Sequence, residues 1–100
     1  MKIISSHKVR QLACENESFK QECKIMLQRH RKGDFGLVDT FTIITENLNA
    51  LKTGNKEVFS AYRSYYGKVW VITLPKEDKT VIMFPEEYRA EEKYGKRFGL

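Results

Sequence analysis

Gly67-Lys68-Val69-Trp70-Val71-Ile72-Thr73-Leu74-Pro75 carries the clearest structural signal in the chain. Between a glycine and a proline it gathers β-branched and aromatic residues, the composition that fits a pleated, half-buried surface. Val58 to Tyr66 has the same character on the near side, and Gly67-Lys68 reads as the turn between the two runs. On the far side Pro75-Lys76-Glu77-Asp78-Lys79 reads as a loop into Thr80–Phe84, where Pro85 ends the run because it cannot donate to a ladder. The three runs predict an antiparallel meander over about 57–66, 68–74 and 80–84. Either Trp70 and Ile72 or Val69 and Val71 turn toward the core.

The period changes upstream. Phe19, Cys23, Met26, Leu27 and His30 fall on one face of a 3.6-residue repeat, which predicts a helix over about 18–32. Ser18-Phe19-Lys20-Gln21 has the form of a capping box at its start, Arg29, Arg31 and Lys32 complement its dipole, and Gly33 suits its end. Asp34-Phe35-Gly36 reads as a turn. Phe41, Ile44, Leu48 and Leu51 predict a second helix over about 39–53, closed by Gly54-Asn55. Residues 3–14 are ambiguous: Ile3-Ile4 fits a short strand, and Ser6 fits the cap of a short helix carrying Val9, Leu12 and Ala13. Two main helices followed by a three-stranded meander make a segregated α+β fold. The expectation is a single domain over 1–88 with a charged, mobile tail over 89–100.

Composition bounds the function. Hydrophobic residues are 41% and charged residues 31% of the 100, ordinary for one folded domain. The longest apolar run falls far short of the ~20 residues a membrane helix needs. The Met1-Lys2-Ile3-Ile4 start turns polar too soon for a signal peptide, and two cysteines make no secreted scaffold. The expected location is the cytoplasm. The net charge of +5 sits in residues 1–33, densest at Lys24 and at Arg29-His30-Arg31-Lys32. That sign excludes an acidic DNA mimic and permits contact with nucleic acid or an acidic protein groove.

No residue pattern predicts catalysis. Cys23 and His30 share a helix face but stand about 10 Å apart along the axis, too far for a nucleophile and its base. Cys14, Cys23, His7 and His30 lack the local pairing of zinc ligands, and no motif calls for a cofactor. Asp34-Phe35-Gly36 spells a kinase tripeptide without the Gly-rich loop and lysine strand that give it meaning. The contact candidates are therefore surface features. Tyr62, Arg63, Tyr66 and Lys68 interleave aromatic and basic groups, as single-stranded nucleic acids and protein hot spots both require. Arg29, Arg31 and Lys32 form the basic helix end, and Glu86-Glu87 an exposed acidic pair.

Five blocks occur in order: Leu27-Gln28-Arg29-His30, Gly33-Asp34-Phe35-Gly36, Phe59-Ser60-Ala61-Tyr62, Lys68-Val69-Trp70-Val71-Ile72-Thr73 and Phe84-Pro85-Glu86-Glu87-Tyr88. The series resembles a family of small proteins carried by plasmids, phages and conjugative elements. That family's pattern runs R-H-x-x-G-D-W-G, S-A-Y, K-I-W-I-I-T and F-P-E-E-Y. Phe35 stands where the family has tryptophan, and Leu74-Pro75-Lys76 departs from its T-E-A-D-R run. The resemblance implies a mobile-element setting, in which compact single-domain proteins include inhibitors of host defence. It supplies no catalytic residues. The leading expectation is an anti-defence inhibitor, an anti-CRISPR protein that binds a Cas9-type effector or its guide RNA or DNA and blocks nucleic-acid loading or cleavage. The alternative is a small nucleic-acid-binding accessory or regulatory protein of a plasmid or phage.

Overall fold

The computed structural model describes residues 2–38 and 57–87. These residues are α+β, with two main helices and a four-stranded mixed sheet in place of the expected three-stranded antiparallel meander. Strands β2 (Val58–Ser64), β3 (Gly67–Leu74) and β4 (Lys79–Met83) pair antiparallel as expected. The addition is β1 (Lys2–Ser5), which lies parallel to β4 and sets the order β1-β4-β3-β2. Ile3-Ile4 fits a short strand and lies within this one; its place in the sheet was not readable, because four residues carry little alternation and the partner lies far along the chain.

The β2–β3 turn sits two residues earlier than expected. Ser64 pairs with Gly67, so Tyr65 and Tyr66 form the tip. Gly67 takes φ +110° as the first residue of β3, a conformation that side-chain-bearing residues rarely adopt. Counting from that turn, Val58, Ser60 and Tyr62 share a face with Val69, Val71 and Thr73, and Thr80, Ile82 and Phe84 extend it.

Two helices cover that face. Helix α1 (His7–Glu15) starts at Ser6, whose side chain accepts from the Val9 N–H. Helix α2 (Glu17–Arg31) starts at Asn16, which accepts from the Phe19 N–H. The Ser18–Gln21 capping box is therefore corrected: Ser18 already lies inside the helix, and Gln21 donates to Glu17. Asn16 ends α1 and caps α2, so one residue both breaks and restarts the helix. At the other end Gly33 takes φ +84° just past the cap, the role its position predicted.

Val9, Phe19, Cys23 and Met26 pack on Tyr62, Val69, Val71, Ile82 and Phe84. The sequence left open which of two strand faces turns inward; both are buried. Ile72, Leu74, Val81 and Met83, flanked by Ile4, Phe59 and Trp70, form a second cluster on the opposite face. The helix expected over 39–53, with Phe41, Ile44, Leu48 and Leu51 on its face, lies outside the described residues, as does the tail expected over 89–100.

Candidate functional site

His30 ends the apolar face of α2 and meets the sheet where three polar side chains line its helix-facing side. Its Nδ1 lies 2.5 Å from Ser60 Oγ and its Nε2 lies 2.8 Å from Thr73 Oγ1. Thr73 Oγ1 lies 3.0 Å from Thr80 Oγ1. A neutral imidazole donates through one ring nitrogen and accepts through the other, so it links Ser60 to Thr73, and Thr73 is hydrogen-bonded in turn to Thr80. Burial, and then the nearby Arg31 charge, push His30 down from 6.5 to about 4, so the ring is neutral at physiological pH.

A serine on a histidine nitrogen has the form of an activated nucleophile. Ser60 is 0% exposed, however, and lies within β2 under the end of α2, where a substrate carbonyl cannot reach it. The cluster fixes α2 on three strands. Cys23 is equally unsuited to attack, since burial and then the Glu22 charge push its thiol up to about 11. Among the described residues, no three His, Cys, Asp or Glu side chains gather as metal ligands.

Arg29, one residue before His30, serves the following turn. Its guanidinium grips Asp34 at 2.6 and 3.1 Å and lies 4.7 Å from the centre of the Tyr62 ring. The hydrogen bond from Arg29 holds the Asp34 carboxyl below its usual range, and the same bond raises the guanidinium. Tyr62 donates from its hydroxyl to the Asp34 carbonyl at 2.6 Å. Phe35 is buried beside Val58, and residues 35–37 hydrogen-bond to both sides of Ala61, extending the β2 edge by one bridge. Gly36 is required there: at φ +68° a Cβ would stand 2.2 Å from the Ala61 carbonyl oxygen. The Asp34-Phe35-Gly36 turn is therefore an architectural joint.

Glu87 closes the opposite end. Its carboxylate accepts from Ser6 Oγ at 2.5 Å, from the Lys8 N–H at 3.2 Å and from the Phe84 N–H at 3.0 Å. A carboxylate at the start of α1 also opposes the positive end of the helix dipole. Lys8 pairs with Glu86 at 3.3 Å.

These contacts sort the nine contact candidates. Tyr62, 1% exposed, is a core residue and offers no contact face. It points inward because it stands opposite Val69 on the sheet face that the two helices cover. Arg29 and Glu87 are engaged within the fold, and Glu86 partly so. Arg31 and Lys32 are exposed at the C-terminal end of α2. Arg63 and Lys68 are exposed directly opposite each other on β2 and β3. Helix α2 begins beside the tip, where Asn16 donates to the Tyr66 hydroxyl at 3.0 Å, and ends near Ser60. The helix-end cations and the tip cations thus occupy opposite ends of the sheet.

No protein family, curated protein or solved structure matches the chain. The surface therefore has to be read from its own residues. Tyr65, which the sequence did not single out as a contact, is 79% exposed, and Tyr66 is 38% exposed with its ring centre 5.0 Å from that of Phe19 in a T-shaped contact. The two tyrosine rings meet edge to face at 5.0 Å. The Tyr65 N–H points to the Glu22 carboxylate at 3.3 Å, so the tip is braced against α2. Arg63, Tyr65, Tyr66 and Lys68 form one projecting edge. The sequence signal that would have found Tyr65 is Gly67 read as the residue after the turn. None of the helices among the described residues is long and apolar enough to cross a membrane.

Proposed function

We propose that the protein acts by binding and is an anti-defence inhibitor of a mobile element, an anti-CRISPR protein that docks on a Cas9-type effector and blocks nucleic-acid loading or cleavage. The observation that carries this reading is the Arg63–Lys68 pair. Like charges directly opposite in an antiparallel ladder destabilise the hairpin, and neither cation has an acidic partner among the described residues. An anionic partner would compensate that cost. Beside the pair stand Tyr65 and Tyr66, large amphipathic rings that suit the centre of an interface. The groups with chemical potential, His30, Ser60 and Cys23, are turned into the core, which favours binding over turnover. The resemblance to mobile-element proteins supplies the setting.

A second reading has its own support. Two exposed tyrosines beside two cations also suit stacked bases and phosphates of single-stranded nucleic acid. An order-of-addition assay separates the two. Purified protein is added to a Cas9-type effector before or after guide loading, and cleavage of a target duplex is followed. Inhibition that resists excess bare guide RNA supports an effector-bound inhibitor. Loss of inhibition in proportion to added bare RNA supports the nucleic-acid binder, and full cleavage under every order of addition removes the anti-CRISPR reading.

A further inference from the structure

A separate surface lies between α1 and α2, away from the hairpin tip. The two helices are joined at Asn16 and leave between them a groove of 260 Å³ that opens to solvent. Its floor is apolar: Val9, Ala13, Cys23 and Leu27. Its walls carry Arg10 from α1 and Lys20 and Lys24 from α2, with no carboxylate in the lining. None of the three cations makes an ion pair among the described residues. The carboxylates of α2 serve elsewhere: Glu17 accepts from Gln21, and Glu22 meets the tip.

We infer that this groove binds an acidic, amphipathic segment of a partner protein, with apolar side chains in the groove and carboxylates against Arg10, Lys20 and Lys24. Size sets the anchor. A cavity of ~150 Å³ takes a benzene-sized group, so this groove accommodates one or two large apolar side chains. Charge distribution sets the rest. Lys20 and Lys24 stand one helical turn apart on one wall and Arg10 on the other. Several carboxylates along a segment match that spread better than the single head group of a fatty acid. Nucleic acid fits less well, because no aromatic ring lines the floor to stack a base. A helix laid in a groove by periodic apolar anchors is the matching mode of recognition. The inference does not depend on the partner being a defence effector, and the groove shares no residue with the hairpin tip.

The test uses the full chain and a fluorescein-labelled, helix-forming peptide with leucines along one stripe and glutamates beside them. Its counterparts carry lysine for glutamate or glutamine for leucine. Anisotropy should rise with the glutamate–leucine peptide and not with either counterpart. Arg10→Glu combined with Lys24→Glu should weaken binding by about tenfold or more, mostly through slower association. Both residues are exposed, and circular dichroism checks the fold. The unaltered protein gives an independent readout, because Cys14 lines the groove and is exposed while Cys23 is buried. Saturating peptide should slow alkylation of Cys14 by a maleimide. Absent or equal binding of the glutamate and lysine peptides, undiminished binding by the folded double variant, or undiminished Cys14 reactivity would each overturn the inference. So would protection of Cys14 by decanoate or a single-stranded oligonucleotide but not by the peptide.

Discussion

Acid should loosen this fold through one side chain. Folding lowers His30 from 6.5 to about 4, because burial and then Arg31 oppose the charged ring. The hydroxyls of Ser60 and Thr73 could accept from an imidazolium, so the resistance comes from desolvation and charge more than from lost hydrogen bonds. The unfolded chain takes up this proton near pH 6.5, and the folded chain waits until about 4. The contribution is therefore complete above pH 6.5, falls as pH drops between those values, and declines no further below the lower one. At ~1.4 kcal/mol per pKa unit the window is worth about 3 kcal/mol, a large share of the ~5–15 kcal/mol typical of a domain. Urea unfolding at roughly pH 7, 5.5 and 4 measures it. With an m-value of ~1.5 kcal/mol/M the midpoint should fall by about 2 M across the series. His30→Gln removes the titrating ring and should flatten that fall, leaving only the acid response of carboxylates such as Asp34 at lower pH. Parallel pH curves for the two proteins would refute the reasoning. Should the variant not fold, the His30 ring resonance in the unaltered protein provides the test, and a midpoint above pH 6 would refute it equally.

Other changes probe the joints of the fold. Gly36→Ala drives a Cβ into the Ala61 carbonyl at a positive φ, and should cost on the order of 2–4 kcal/mol in urea unfolding. Tyr62→Phe removes the hydroxyl bond to the Asp34 carbonyl and should cost about 1 kcal/mol, with partner binding retained because the ring is not a contact. Glu87→Ala strips three hydrogen bonds from the start of α1 and the end of β4, and should cost about 1–2 kcal/mol, read by thermal unfolding.

Much of the fold was legible wherever a repeat was long enough to show its period. The run Val69–Leu74 and the face Phe19, Cys23, Met26 and His30 lie where their alternation placed them. Ile3-Ile4 fits a short strand and lies in one, but its parallel pairing with β4 was not legible, because pairing with Lys79–Ile82 is a long-range event that leaves no local pattern. The turn was misplaced because Gly67 reads equally well as a turn residue and as the first residue after one; its φ of +110° decides the matter only in three dimensions. That shift of two residues moved Tyr65 and Tyr66 from the strand into the tip and left Tyr65 exposed; Tyr62 kept its face, which the helices turn inward. The five sequence blocks prove to be largely architectural. Arg29, His30, Asp34, Gly36, Ser60, Ala61, Tyr62 and Thr73 converge at one end of α2 through hydrogen bonds between elements far apart in the chain. Spacing alone could not show that His30 finds Ser60 and Thr73, since those pairings require the strand register.

The most direct test of the account compares partner capture by the unaltered protein and by Arg63→Glu/Lys68→Glu, both exposed positions that leave the core untouched. An immobilised Cas9-type effector and bare single-stranded DNA or RNA are presented in parallel over a range of salt. The effector should be captured at physiological salt, and bare nucleic acid should bind feebly. The double variant should show a marked loss of effector association, with an unfolding midpoint near that of the unaltered protein. Contradiction would be sub-micromolar binding to bare DNA or RNA at physiological salt, with affinity falling at a slope of roughly −0.7 to −0.9 per phosphate neutralised, while the effector is not captured.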